Sequence, residues 1–364
     1  MASQVGFGRR VWIAAALAGA IVLALLPAIA ASRSDASSRC YRDKDAVPCL
    51  LGIARAKLAR ISDPDERADV VGDFLYTLAT TGNDDDAIAQ EARRLSADKS
   101  VKPVKQMDLL YSIDLHDSLT SAAAESYRAA LARFAALEKQ LSGSALVELH
   151  VNACAIGNWD EPFRERWLDF AESVCTPERL KAIKADGLAS QSLLLATMPI
   201  AMTLAEDREG FEASADRALA WLEAAEAATA KVKDGGGRDF VAAVGILMHT
   251  GNAQCLAAFE EQDDADAEVD RAVAILKDIE ARHGISGKTT PLRRQVVEAL
   301  FDGGRDAESA KLLRRMLTSV DRDADGRKIP FAEQVAILLL AARLESYINA
   351  ERDQAEVPAG HIRM

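Results

Sequence analysis

Hydrophobic side chains after residue 46 recur at the spacing of an α-helix. Residues 48–62, for example, place Leu50, Ala54, Leu58 and Ile61 on one face and polar residues on the other. Almost no stretch alternates between apolar and polar residues as a half-buried strand does. The pattern predicts an all-α chain in which helices of ordinary length are joined by short breaks.

Helix boundaries are marked by residues that suit them. Asp63-Pro64 has a capping side chain followed by proline, which is favourable at the first helical position. The pairs Thr176-Pro177 and Thr290-Pro291 repeat this arrangement, and we expect Thr176 and Thr290 to cap helices. Gly82 is placed to end one.

The first 30 residues have the pattern of an export signal. Arg9 and Arg10 precede a continuous apolar run over residues 11–30, and small residues stand at Ala28 and Ala30, where a signal peptidase would read them. The run is also long enough to span a bilayer, so an uncleaved inner-membrane anchor is the alternative. Either interpretation puts the body of the protein outside the cytoplasm, as a periplasmic or secreted protein.

Four segments share a local pattern in which a polar, acidic turn leads into a helix with regularly spaced alanines. They are TTGNDDDAIAQEARRL (80–95), AEDREGFEASADRAL (205–219), EEQDDADAEVDRAVAIL (260–276) and DGGRDAESAKLLRRML (302–317). This pattern resembles the tetratricopeptide family, in the turn between a repeat's two helices and the small alanines of its second helix. Gly82 with Ala87 fits best, and the match covers roughly a third of the chain.

The resemblance implies stacked antiparallel helix pairs forming an α-solenoid, with an irregular helical bundle as the alternative. In this interpretation a polar linker, residues 31–46, leads into two repeat regions, and a polar tail, residues 353–364, follows them. The regions are residues 47–234 and 238–352. Gly235–Gly237 is the expected hinge between these halves.

The charge of the chain limits its partners. Its 364 residues carry 44 Lys and Arg against 56 Asp and Glu, a net charge of −12, without a basic run. Phosphate backbones and anionic lipid surfaces repel such a chain, so nucleic-acid binding is not expected. Membrane attachment is expected only if the N-terminal segment is not cleaved. A cationic protein, a cationic peptide or a metal ion is the better match.

Cysteine usage fits an exported protein, in which disulfides persist. Cys40 and Cys49 bracket a short polar loop and are expected to pair. Cys154 and Cys175 lie near the facing ends of two predicted helices, where they either form a second disulfide or are small buried hydrophobic residues. Cys255 is left over and is interpreted as a core residue.

The stretch DRDADGRKIPFAE (321–333) suggests a calcium loop. Asp321, Asp323 and Asp325 stand at alternate positions before Gly326, as in an EF-hand, and Glu333 is the possible closing ligand, one residue late. A solvated acidic turn that caps helices without metal is the competing interpretation.

No catalytic motif is recognisable in the sequence, and no cofactor other than calcium is suggested. The leading hypothesis is therefore a non-catalytic scaffold that binds a protein or peptide partner. The alternatives are a calcium-binding protein that uses residues 321–333 and an enzyme whose site is assembled from distant positions.

Overall fold

A computed structural model shows an all-α protein, as the sequence pattern predicts. It describes residues 40, 46–117, 123–156, 164–230, 235–284, 286, 289–318, 320–322 and 327–356. No β-strand is formed in these ranges, and the proposed signal segment lies outside them. The helices are α1 (Val47–Leu58), α2 (Pro64–Thr81), α3 (Asp86–Ser96), α4 (Pro103–Asp117), α5 (Ala123–Gln140), α6 (Gly143–Ile156), α7 (Arg164–Val174), α8 (Pro177–Ala182), α9 (Leu188–Leu204), α10 (Arg208–Ala230), α11 (Gly235–Ala258), α12 (Gln262–His283), α13 (Thr290–Asp302), α14 (Asp306–Thr318) and α15 (Phe331–Glu356).

Two of the three expected capping residues cap their helices. The Asp63 carboxylate accepts the Glu66 backbone N–H at 2.9 Å, and the Thr176 hydroxyl accepts that of Arg179 at 3.3 Å. Gly82 ends α2 in the left-handed conformation, which costs glycine little. The prediction for Thr290 was wrong. Thr290 is the first residue of α13, and its hydroxyl donates to the Ser286 carbonyl at 2.9 Å instead.

Seven helices contact one another in a closed circle. In the order α2, α4, α6, α9, α11, α13 and α15, each packs on the next, and α15 packs back on α2. We call this set the inner ring. At the contact between α2 and α4, a Cβ on Gly72 would lie only 3.2 Å from the Ser112 hydroxyl, so glycine permits the close approach.

The remaining helices cover the outside of the inner ring. Each of α3, α5, α10, α12 and α14 packs against both its chain neighbours, as expected for antiparallel hairpins, while the short α8 rests on α9. The α7 helix lies against α6 and α9, and α1 packs on α15 and α2. Each outer helix except α8 therefore packs on two helices of the inner ring.

The two ends of the described chain meet in one hydrophobic core. Leu50 and Phe74 from the N-terminal helices share this core with Leu313 and Leu338 from the C-terminal ones. An open stack would leave α15 in contact only with its chain neighbours, whereas here it packs on α1 and α2. The reason lies in its sequence, since all of residues 334–342 are buried and a helix that is apolar on all sides must be covered on all sides.

The expected hinge residues belong to an ordinary helix in the structure. Gly235–Gly237 form the start of α11, and a shared core joins Leu222 of α10 to Val241 of α11. By length and composition, α11 is the one helix among the described residues that could cross a bilayer. Most of its apolar stretch is buried against α9, α10, α12 and α13, as in the core helix of a soluble protein.

The expected Cys40–Cys49 disulfide is present, and of the two alternatives for Cys154 and Cys175 the structure shows the disulfide. The Cys40–Cys49 bond ties residue 40 to α1, and the Cys154–Cys175 bond joins α6 to the residue that follows α7. Cys255 is a buried free thiol in the core, as expected. Burial raises its pKa to about 11, so it is a poor nucleophile at neutral pH.

Candidate functional site

Charged side chains from five helices of the inner ring form a continuous network, which we call the inner charge cluster. Its members lie in or near the N-terminal halves of α2, α4, α6, α13 and α15. The starts of α2 and α4 lie side by side, since the backbone N–H of Lys102, just before α4, donates to Asp65 near the start of α2 at 2.7 Å. The cluster comprises Asp69, Asp73, Lys105, Asp108, Glu148, Asn152, Arg294, Glu298, Glu333 and Arg343.

Lys105 stands between three carboxylates at one end of the cluster. Its Nζ lies 3.1 Å from Asp69 on α2, 3.3 Å from Glu148 on α6 and 4.0 Å from Asp108 on its own helix. Burial alone would lower the pKa of Lys105, but the surrounding carboxylates raise it above its ordinary value. The ammonium group is therefore charged at all physiological pH values.

Asp108 is the most perturbed carboxyl in the cluster. Burial raises its pKa to about 7, although Lys105 and a hydrogen bond from Asn152 Nδ2, 2.7 Å long, both favour its charged form. Burial also raises the pKa of Tyr111, one turn further along α4. Asp108 thus changes charge near neutral pH, as few aspartates do.

The other end of the cluster is organised by two arginines. Arg294 on α13 lies 3.3 Å from Asp73 on α2, and Arg343 on α15 lies 2.7 Å from Glu298 on α13. Burial raises the pKa of Glu333 on α15. The charge of Arg294 opposes that rise, and the charges of Asp73 and Glu66 add to it.

The cluster is partly exposed to water yet closely surrounded by protein. The side chains of Asp69 and Glu148 are 46% and 41% exposed to water, yet burial by the surrounding protein raises the pKa of Asp69. A side chain can be exposed to water and still have a poorly solvated charge when protein surrounds it on several sides. Six carboxylates share this surface with three cations, so it carries an excess of acidic groups.

The sequence contains a signal for this site that motif searches do not detect. Four helices each carry two cluster residues three or four positions apart, which puts both on one face near the helix start. The pairs are Asp69/Asp73, Lys105/Asp108, Glu148/Asn152 and Arg294/Glu298. Each is unremarkable by itself. They become a site only because the ring brings alternate helices side by side.

The four proposed calcium ligands have different surroundings. Asp323 and Asp325 lie outside the described residues. Asp321 is exposed, and its carboxylate accepts from Lys57 Nζ at 2.5 Å, whereas Glu333 belongs to the inner charge cluster.

Within the described ranges, no group of three or more His, Cys, Asp or Glu side chains is arranged to hold a metal ion. Calcium binding by residues 321–333 stays a prediction. Calorimetric titration of the wild type and of an Asp321→Ala/Asp325→Ala variant tests it, and the absence of heat at millimolar calcium would argue against it.

Comparison with protein-family models, with curated proteins and with solved structures found no match.

Proposed function

We propose that this protein is a non-catalytic binding protein whose inner charge cluster receives a cationic peptide segment of a partner. One observation supports this above all: partly exposed carboxylates outnumber cations six to three on the inner face of the ring. A ligand that brings lysine or arginine side chains would neutralise the excess.

The geometry around Lys105 supports an ammonium ligand in particular. Its Nζ sits within 3.3 Å of carboxylates from two other helices, so the inner face already accommodates an ammonium group. Asp73, Glu298 and Glu333 extend the acidic surface toward α13 and α15. Charge pairs in a poorly solvated site are stronger than on an open surface, because water screens them less.

The compartment is part of the same proposal. We infer that the body of the protein works outside the cytoplasm, with an N-terminal signal segment or anchor, and its two disulfides support this because they persist in oxidising compartments. The helix-hairpin pairing supports a repeat architecture of the tetratricopeptide-like type.

Isothermal titration with pentalysine tests the proposal directly, with pentaglutamate as the opposite-charge probe. We expect saturable binding of pentalysine at 0.15 M salt and none of pentaglutamate. The variant Asp69→Asn/Glu148→Gln removes two cluster charges with little change in shape, and should weaken binding by about tenfold or more. The matched control is Asp263→Asn/Asp264→Asn, which removes two exposed charges at the start of α12.

Equal losses in the two double variants would show that pentalysine responds only to net charge, and the proposal would fail. Absence of pentalysine binding to the wild type would also count against it.

A second candidate, an enzyme with a site built from distant residues, is favoured by Asp108. A carboxyl with a pKa of about 7 is suited to general acid–base catalysis at neutral pH. A binding protein leaves its ligand chemically unchanged and an enzyme converts it, and mass spectrometry of any captured ligand distinguishes the two. Recovery of the ligand unchanged supports a binding protein, whereas a product that is lost in the Asp108→Asn variant supports an enzyme.

A further inference from the structure

Three carboxylates from three helices meet around a single ammonium group in the inner charge cluster. Asp69 of α2, Glu148 of α6 and Asp108 of α4 lie 3.1, 3.3 and 4.0 Å from Lys105 Nζ. One ammonium group balances one carboxylate, so two negative charges remain when all three are ionised. Because like charges this close repel each other, the carboxyl that is least stabilised by water and by the cation holds a proton most readily.

Asp108 is that carboxyl. It is the farthest of the three from Lys105, and the Asn152 amide that donates to it at 2.7 Å carries no charge. Its side chain is 29% exposed, less than those of Asp69 and Glu148, so water supports its charge least. This poor hydration is the main reason that its pKa is raised to about 7, and the charges of Asp69 and Glu148 add to the rise.

The other helices that pack on α4 direct their charged groups elsewhere. The α3 helix meets α4 through an ion pair at the far end of α4. The α5 helix bonds a glutamine that lies two positions from Asp108 and therefore on another face of the helix, and it also bonds the histidine of α6. These pairs are Arg93–Asp117, Arg133–Gln106 and Glu138–His150.

We propose that the inner charge cluster exchanges a proton for an ammonium group of its ligand, and that Asp108 is the residue that releases the proton. The inference rests on the cationic-peptide function proposed above and adds how binding at that site is regulated. A lysine side chain that enters beside Asp69 and Glu148 supplies the positive charge that the three carboxylates lack. The Asp108 carboxyl then loses its O–H proton to the solvent, and the resulting carboxylate pairs with the new ammonium group.

The exchange makes binding depend on pH. At pH values where Asp108 keeps its proton, the site offers one negative charge fewer, so the ligand binds more weakly. As the pH rises through neutrality the proton is already absent and the affinity reaches its full value.

Calorimetric titration with N-acetyl-pentalysine amide at pH 6 and pH 8 measures this coupling. The capped peptide lacks the α-amino group, which would itself titrate in this range. We expect binding to be about five- to tenfold weaker at pH 6 than at pH 8. At pH 7, the heats in two buffers of different ionisation enthalpy should show the release of about half a proton per bound peptide.

The variant Asp108→Asn keeps the shape of the side chain and has no proton to release. We expect its affinity for the peptide to be nearly the same at both pH values, close to that of the wild type at pH 6, with no proton release. The matched control is Asp263→Asn, at an exposed position of α12, which should keep the wild-type dependence on pH. Circular dichroism spectra of both variants identify any loss of fold.

Two results would overturn the exchange and leave the proposed function intact. The first is equal affinity of the wild type at pH 6 and pH 8 without proton release. The second is an unchanged pH dependence in Asp108→Asn, since another group would then carry the proton. Absence of peptide binding to the wild type at pH 8 is a different result, because it would remove the proposed function and this inference with it.

Discussion

Asp108 shows how one poorly solvated carboxyl can make the stability of the whole protein depend on pH. Its pKa is about 7 in the folded protein, against an ordinary value of 3.8. The folded state therefore holds this proton more tightly than the unfolded chain does. The stability contributed by the protonated form is complete below about pH 4 and is lost as the pH rises toward about 7, because the unfolded chain releases its proton first.

The variant Asp108→Asn should remove this dependence, since an amide keeps the shape of the side chain and does not ionise. Relative to wild type, we expect the free energy of unfolding of the variant to rise by about 2–3 kcal/mol between pH 5 and pH 8. Urea unfolding at the two pH values measures the change. Asp263→Asn, at an exposed position on α12, should show no such rise. If the Asp108→Asn and wild-type proteins respond to pH in parallel, the assigned pKa is wrong.

Single residues were predictable from sequence where the interaction is local. Asp63 and Thr176 cap helices because their partners lie three residues away, so a short pattern contains the whole interaction. Thr290 failed as a cap because the turn that starts at Ser286 engages its hydroxyl instead. The perturbed pKa of Asp108 was not predictable, because it depends on burial by helices distant in sequence.

At the scale of elements, the Cys154–Cys175 disulfide fixes α7 against a helix of the inner ring. The bonded residues are 21 positions apart, and α6 also carries Glu148 and Asn152 of the inner charge cluster. Replacing both cysteines by serine should lower the free energy of unfolding by about 3 kcal/mol, because the unfolded chain regains the freedom that the cross-link removes. Chemical unfolding without reductant measures the loss.

Reductant supplies the control for that disulfide. Dithiothreitol should destabilise the wild type, whereas a variant with serine at positions 40, 49, 154 and 175 should not respond to it. If the Cys154→Ser/Cys175→Ser variant unfolds at the wild-type urea concentration, this bond does not stabilise the fold.

The existence and type of most elements could be predicted, because hydrophobic periodicity is a local property of the chain. The enclosed position of α15 in the fold could not be predicted by periodicity alone. Its residues 334–342 are buried on every side, and that continuous run was a signal of a helix enclosed by several neighbours. From sequence, the segment that leads into α15 suggested a calcium loop because of its aspartates. Arg322 stands between two of those aspartates and Lys328 follows the last of them, and in the structure both line a groove against α1.

At the scale of the whole molecule, closure of the inner ring brings together residues that are far apart in sequence. Lys57 and Asp321 are separated by 264 positions and lie 2.5 Å apart. A carbodiimide, which joins an amine directly to a carboxylate, should therefore cross-link them in the monomeric protein. Mass spectrometry of the digested monomer should detect the linked peptide.

A Lys57→Arg variant is the matched control, because it keeps the charge but removes the reactive amine. The Lys105–Asp69 pair, 3.1 Å apart, reports whether the reaction has worked. If that internal pair is linked and Lys57 is not, α1 and α15 do not meet in solution and the chain is an open stack.

Closure of the inner ring could not be predicted by comparing neighbouring segments of the sequence. Stacked hairpins and a closed ring share the same local pattern, since in both each helix packs on the next ones along the chain. They differ only in whether the last helix returns to the first, which depends on curvature accumulated over the whole array. The inner charge cluster depends on the same closure, because Arg294 and Glu333 reach Asp73 only when the ends meet.

The antiparallel packing of α1 and α15 also determines where attachments leave the molecule. Lys57 near the end of α1 contacts Gln334 near the start of α15, so residue 47 and residue 356 both lie toward the other edge of the ring. The inner charge cluster lies toward the edge where the inner helices start. A tether attached at residue 47 or residue 356 would therefore start at the edge away from the inner charge cluster, and immobilisation through it would leave that cluster free for ligands.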